Sequence, residues 1–226
     1  MQPIVLYHAP SGSGPNPWKV AFILAELQIP FEIKWTKYLD LRREPYLSIN
    51  PNGKVPSIED PNTGVTVFES GACIQYIIET RITTPRQRYK RRLFFRCSGQ
   101  GPYFGQKMWF SNFHSEKNIV SAIERYAFEA KGIIGVLESK LAKQKQGGSD
   151  WLVGDKCRYA DLAFVSWNNL IPAMFPEGFE VEEEFPLFYG WWQSMLGMES
   201  VRGVLEMKAE AGGTLMDSAD EARHAR

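Results

Sequence analysis

The sequence predicts an α/β domain over residues 1–82 followed by an all-α domain over residues 90–210. Short apolar runs, turn residues and helical periodicities alternate through about residue 80 in the order strand, helix, strand, hairpin, helix. From Ser115 onward, apolar residues recur at helical spacing over long stretches. The chain has 226 residues, which suits one large domain or two small ones, and 44% of them are apolar, enough for a packed core.

Pro3 to Tyr7 is a short apolar strand, and the small residues from His8 to Pro15 form a loop. Asn16-Pro17 is expected to open the first helix, asparagine as N-cap and proline in the first turn. Val20, Ile23, Leu24 and Leu27 supply its buried stripe, and Phe31 to Lys37 is the second strand. Asn50-Pro51-Asn52-Gly53 is turn chemistry, in which proline restricts φ and glycine admits a positive one. Ser57 to Glu59 and Val65 to Phe68, joined by Asp60-Pro61-Asn62-Thr63-Gly64, read as a β-hairpin. Cys73, Ile74, Ile77 and Ile78 then recur at helical spacing between Ala72 and Thr80.

Ser70 lies where a strand ends and a helix begins. It is placed either to cap that helix or to bind an external carboxylate, since the first N–H groups of a helix lack partners within it. Glu69 beside it suits the ammonium group of a ligand that carries a carboxylate next to an ammonium. A cis bond at Val55-Pro56 would turn the Val55 main chain outward, where its N–H and C=O can pair with an extended peptide; a trans turn is the alternative.

Pro-Asn-Gly-Lys-Val-Pro at 51–56, Glu-Ser-Gly at 69–71 and the thioredoxin-like β/α pattern before them resemble the glutathione site of the cytosolic glutathione transferases. The resemblance covers nearly the whole chain. It implies that Glu69 and Ser70 hold the γ-glutamyl end, that Val55 pairs with the cysteinyl backbone across a cis Pro56, and that Lys54 lies near the glycine carboxylate. Relatives often place a histidine between 38 and 47 to meet that carboxylate; here Arg42 or Arg43 would substitute, guanidinium binding carboxylate well. Pro-Asn-Pro-Trp-Lys-Val at 15–20 resembles the fungal, Nu-type subgroup related to the yeast nitrogen-regulator prion protein, whose asparagine sits by the thiol. Transferases lower the pKa of the glutathione thiol because the thiolate is the nucleophile. Asn16 is therefore the favoured sulfur donor, with Ser11 or Ser13 second; Tyr7 stands where other classes have a tyrosine. An N-cap role alone is the competing reading of Asn16.

Residues 81–96 hold Arg81, Arg86, Arg88, Lys90, Arg91, Arg92 and Arg96 and no acid, which reads as a solvated helix face or dimer contact near an interdomain linker, with electrostatic attraction of anionic glutathione as the alternative. Between 98 and 113 aromatic residues are dense, and glycine and proline interrupt the helix period. This suits the concave wall of a hydrophobic-substrate site, with Tyr103, Phe104, Met108, Trp109 and Phe110 as its candidates and Trp167 as a further one; ordinary packing is the alternative. Ser115 to Gln146 is one long helix ended by Gly147-Gly148-Ser149. Tyr159-Ala160-Asp161-Leu162-Ala163 resembles the family's central helix, with Arg158 in place of the usual serine or threonine cap. Phe185 to Met198 and Ser200 to Lys208 are further amphipathic helices, and residues 211–226 read as a flexible tail.

The net charge is zero, which favours neither nucleic acid nor a membrane surface. No apolar run approaches the roughly 18 residues of a transmembrane helix, and the N-terminus lacks signal-peptide features, so a cytoplasmic protein is expected. Cys73, Cys97 and Cys157 form no Cys-x-x-Cys, and His8, His114 and His224 are far apart, so no metal is expected. Cys73 reads as a core residue. The expected partners are glutathione, as co-substrate or catalytic thiol, a small hydrophobic electrophile of fungal secondary metabolism, and a second copy of the chain. Three activities remain open: a transferase, a glutathione-dependent cis-trans isomerase working by reversible thiol addition, and a non-catalytic glutathione-binding regulatory module. The chain shows no asparagine- or glutamine-rich extension of the kind a prion-type regulator carries.

Overall fold

β1 (Ile4–His8) is an inner strand of a four-stranded sheet of order β2-β1-β3-β4 in the computed structural model, which describes residues 1–9, 14–81, 92–175 and 178–212. β2 (Phe31–Trp35) runs parallel to β1 with Leu6 opposite Ile33. β3 (Ser57–Asp60) is antiparallel to β1 with Leu6 opposite Ile58, and β4 (Val65–Phe68) returns antiparallel beside β3, as the hairpin reading required. Strand alternation divides β1 between two faces. Tyr7 and Ala9 join Leu41 and Tyr46 in one cluster, whereas the His8 ring packs between Trp18 and Trp35.

The first helix, α1 (Pro15–Glu26), starts earlier than predicted. Gly14 takes the N-cap position and Pro15 the first helical position, leaving Asn16 inside the first turn. Pro-Asn-Pro offers two helix starts, because either proline gives up only an N–H that the first turn leaves unpaired anyway. A 3-10 turn at Asp40–Arg42 and the single turn α2 (Tyr46–Ile49) follow β2. α3 (Ser70–Arg81) buries Cys73, Ile74, Ile77 and Ile78. Its far end is tied to β3 by Asp60, which accepts from the Tyr76 hydroxyl at 2.9 Å and from Arg81 at 2.7 Å.

The described residues fall into two units, 1–85 with 198–226, and 86–197. The last helix, α10 (Glu199–Glu210), therefore belongs with the sheet unit and not with the helical region 90–210. It packs on α1, and Ser200 Oγ donates to Glu26 Oε2 at 2.6 Å. Nothing in its amphipathic pattern distinguishes this partner from a helix of the second unit. The stretch 213–226 and four basic residues of the linker run (Arg86, Arg88, Lys90, Arg91) lie outside the described residues.

In the second unit, α4 (Gly101–Met108) is flanked by π-helical turns at Arg96–Gln100 and Trp109–Phe113, so the glycine- and proline-containing segment is helical throughout. A widened turn before Pro102 accommodates a residue that lacks an N–H. Arg96 is only 3% exposed, which corrects the solvated reading at that position. The long helix α5 (Val120–Gln146) starts five residues later than predicted, after Asn118 adopts φ 58°. α6 (Tyr159–Asn168), the short turns α7 (Ile171–Met174) and α8 (Val181–Glu184), and α9 (Pro186–Leu196) complete the unit. Asp161 is fully buried and accepts from the N–H groups of Leu152 and Arg158 and from the Trp191 indole, joining three segments. Arg158 has no side-chain acceptor, so only the Asp161 half of a capping box is made there.

His8 is buried, its Nδ1–H donating to the Ala9 carbonyl, with no partner for Nε2 among the described residues. Burial lowers its pKa to about 4 from an ordinary 6.5, and the Lys208 charge pushes the same way. In that window the unfolded chain binds the proton and the folded chain does not. This group therefore removes stability as pH falls from 6.5 towards 4, by about 3 kcal/mol in total. Chemical denaturation across that range is expected to show a steeper acid loss for the native sequence than for His8→Gln; equal slopes would contradict it.

Candidate functional site

The turn between α2 and β3 is built by Asn50, whose side chain is buried. Its Oδ1 accepts the Asn52 N–H at 2.9 Å, its carbonyl accepts the Gly53 N–H at 2.9 Å, and its Nδ2 donates to the Lys54 carbonyl at 2.6 Å. The Tyr46 hydroxyl donates to that same carbonyl at 2.7 Å. Gly53 has φ +61°, and a Cβ there would lie 3.0 Å from the Leu41 carbonyl oxygen and 3.2 Å from Arg42 Cγ. The turn therefore rests against Arg42, while the Lys54 side chain is exposed. The Val55–Pro56 peptide is cis. Val55 is half-buried, and its main chain has no hydrogen bond to another described turn or loop residue.

The second part of the site is the corner between β4 and α3. Glu69 has φ 69° and an exposed side chain, and its carbonyl accepts the Cys73 N–H at 2.8 Å. Ser70 is the first helical residue, and its Oγ accepts from Lys19 Nζ at 2.7 Å. Asn52 Nδ2 lies 3.5 Å from Glu69 Oε1, which brings the turn and the corner together. Lys54, Val55, Pro56, Glu69, Ser70 and Arg42 thus all belong to the sheet unit.

Asn16 sits in the first turn of α1, half-buried and three residues before Lys19, so the two share a helix face. Ser11 and Ser13 lie outside the described residues. Tyr7 is engaged elsewhere: its hydroxyl donates to Glu59 Oε2 at 2.6 Å and accepts from Lys34 Nζ at 3.1 Å. Burial and the Glu59 carboxylate push its pKa up, away from any ready ionisation. Cys73 is fully buried, and burial pushes its thiol up to about 12, which suits a core residue. Among the described residues, no group of three or more His, Cys, Asp or Glu is arranged to hold a metal ion, and no helix is long and apolar enough to cross a membrane.

Within the helical unit, Phe104 and Trp167 are buried and meet edge to face, ring centroids 6.4 Å apart. Met108 is also buried, whereas Tyr103, Trp109 and Phe110 are half-buried. Phe110 stacks on Tyr126 at 5.6 Å and on His114 at 5.2 Å. Lys19 and Tyr46 are not singled out by the sequence, which marks Asn50 and Asn52 as turn residues and not as parts of the site. For Asn50 and Asn52 the signal was present in the Asx-turn chemistry; for the other two, burial by distant residues decides their role.

A mixed β2-β1-β3-β4 sheet carrying a cis-proline turn beside a polar strand-to-helix corner, followed by a helical unit, defines a thioredoxin-like protein with a helical C-terminal domain. Residues 13–80 match the glutathione S-transferase N-terminal domain and residues 106–199 the glutathione S-transferase C-terminal domain. Similar proteins include the glutathione S-transferase-like protein gedE of Aspergillus terreus, 42% identical over 85% of this chain and 91% of its own length. Glutathione S-transferase 1 of Schizosaccharomyces pombe is 38% identical over 88% of this chain and 94% of its own. Among solved structures, glutathione transferase URE2P6 of Phanerochaete chrysosporium, in complex with oxidized glutathione, has a TM-score of 0.83 at 36% identity, covering 92% of this chain and 97% of that one. The chain belongs to the glutathione S-transferase family.

Asn50→Ala removes both side-chain hydrogen bonds that shape the turn. It is expected to lower stability by about 1–3 kcal/mol, the net worth of two part-buried hydrogen bonds at roughly 0.5–1.5 kcal/mol each. Thermal denaturation checks this; a change below about 0.5 kcal/mol, the level of an ordinary surface substitution, would contradict the role.

Proposed function

We propose that this protein binds glutathione in the sheet unit and presents its thiolate to a hydrophobic electrophile, as a glutathione transferase. The observation that supports this most is the joining of the Asn50–Pro56 turn to the Glu69–Ser70 corner through Asn52 and Glu69. In this reading the Val55 N–H and C=O pair with the cysteinyl backbone beside Pro56. Glu69 meets the γ-glutamyl ammonium and Ser70 its carboxylate, while Lys54 and Arg42 meet the glycine carboxylate as point charge and fork. Solved relatives carry oxidized glutathione or S-hexylglutathione, the latter in Ure2p at 32% identity and a TM-score of 0.83. The electrophile is proposed to lie against Tyr103, Trp109 and Phe110, which are half-buried, while Phe104, Met108 and Trp167 are buried.

Asn16 is proposed to donate its side-chain N–H to the sulfur. A donor there stabilises the thiolate over the thiol and lowers the pKa of the bound group. The thiolate attacks the electrophilic carbon; a leaving group departs, or a conjugated acceptor takes up a proton, and the thioether is released. Asn16→Ala is expected to raise the pKa of bound glutathione towards the ~8.5 of a free thiol and to cut turnover by about 10–1,000-fold. Ultraviolet thiolate titration and steady-state kinetics check this; an unchanged pKa and turnover would contradict the assignment.

The reaction type is tested by incubating the protein with glutathione and a panel of enones, polyenes and aryl halides, followed by mass spectrometry. A product carrying glutathione supports the transferase. An isomer of unchanged mass identifies reversible addition, and bound glutathione with no product identifies a binding module. A homodimer is proposed as well: Phe94, Phe128 and Val136 are exposed apolar residues of the helical unit that a second copy would cover. Light scattering is expected to give twice the chain mass; a monomer at micromolar concentration would contradict the pairing.

A further inference from the structure

Lys19 is fully buried in α1, and its ammonium donates to Ser70 Oγ at 2.7 Å. An ammonium has protons and no lone pair, so the direction of this hydrogen bond is settled. The Ser70 oxygen is the acceptor, and its own proton is left to be donated to something else. A hydroxyl that accepts from a cation is a stronger donor, because hydrogen bonds in a chain polarise one another. The group it best serves is an anion, since a positive charge stands directly behind it. Glu69, the adjacent residue, is exposed and carries the opposite charge. A carboxylate on the Ser70 hydroxyl would sit roughly 5 Å from the Lys19 nitrogen, two hydrogen-bond lengths away. At that separation, in a partly buried site, opposite charges attract appreciably.

We propose that Lys19 is a positioning residue for the amino-acid head of the ligand. It acts through Ser70, polarising the hydroxyl towards the α-carboxylate and supplying the positive charge that the carboxylate meets. Glu69 takes the ammonium of the same head. The pair makes the site selective for a γ-glutamyl group over a chain with the amine alone. This rests on the proposed placement of glutathione at Glu69 and Ser70 and adds to it a residue in the wall behind them.

The test compares calorimetric binding of glutathione with that of 4-aminobutanoyl-cysteinylglycine, which differs only in lacking the α-carboxylate. The native protein is expected to prefer glutathione by at least about tenfold, the scale of one charge-assisted hydrogen bond. Lys19→Met is expected to weaken glutathione alone, bringing the two peptides within about threefold of each other. A folded Lys19→Met that weakens both peptides equally, or neither, would overturn the proposal, because a structural role would not separate them. Ser70→Ala is expected to collapse the same preference. If Lys19→Met does not fold, a Ser70→Ala variant that keeps the full preference overturns the proposal by itself. Native protein that binds both peptides equally well also overturns it while leaving the glutathione site standing. Native protein that binds neither refutes the site reading.

Discussion

The Lys54 carbonyl oxygen, held from one side by the Tyr46 hydroxyl and from the other by the Asn50 amide, is the contact on which the candidate site depends. A turn of this length has many open conformations, and ordering each residue costs roughly 1–2 kcal/mol of backbone entropy. Two donors on one acceptor, with the Asn52 N–H on Asn50 Oδ1, select one conformation among them. That conformation leads the chain past Arg42 into a cis Val55–Pro56 peptide and then into β3. The main-chain atoms and side chains of the turn are thus positioned at the entry to β3, an inner strand of the sheet.

The corner at Glu69 and Ser70 is held differently. A positive φ at Glu69 brings the chain from β4 into α3, and the Lys19 ammonium meets the Ser70 hydroxyl from beneath. Burying an ammonium is costly unless hydrogen bonds compensate it. A lysine in so buried a place, with its charge behind the Ser70 hydroxyl, concentrates positive potential at the corner between β4 and α3. The exposed Glu69 carboxylate adds the opposite sign alongside. Together they place charges of both signs at this corner.

Much of this was legible in the chain because its causes are local. Asn-Pro-Asn-Gly, the hairpin turn and the helical spacing of Cys73, Ile74, Ile77 and Ile78 each act within a few residues, and the structure reproduces those elements. The family resemblance carried the fold and the glutathione reading further than periodicity alone. The start of α1 was misread because two prolines compete for one helical position. Lys19 was not legible: between Trp18 and Val20 it looks like the polar side of an amphipathic helix, and its buried hydrogen bond is made to Ser70, distant in sequence. The buried Arg96, the π-helical turns around α4 and the packing of α10 on α1 likewise arise from contacts between distant segments.

The most direct measurement is a crystal structure of the protein grown with reduced glutathione. The account requires the peptide to run along Val55, its cysteinyl N–H and C=O paired with the Val55 main chain, its amino-acid head on Glu69 and Ser70, and its sulfur within hydrogen-bond reach of Asn16. Glutathione bound with its head away from α3, or an empty Val55 edge at saturating glutathione, would contradict it.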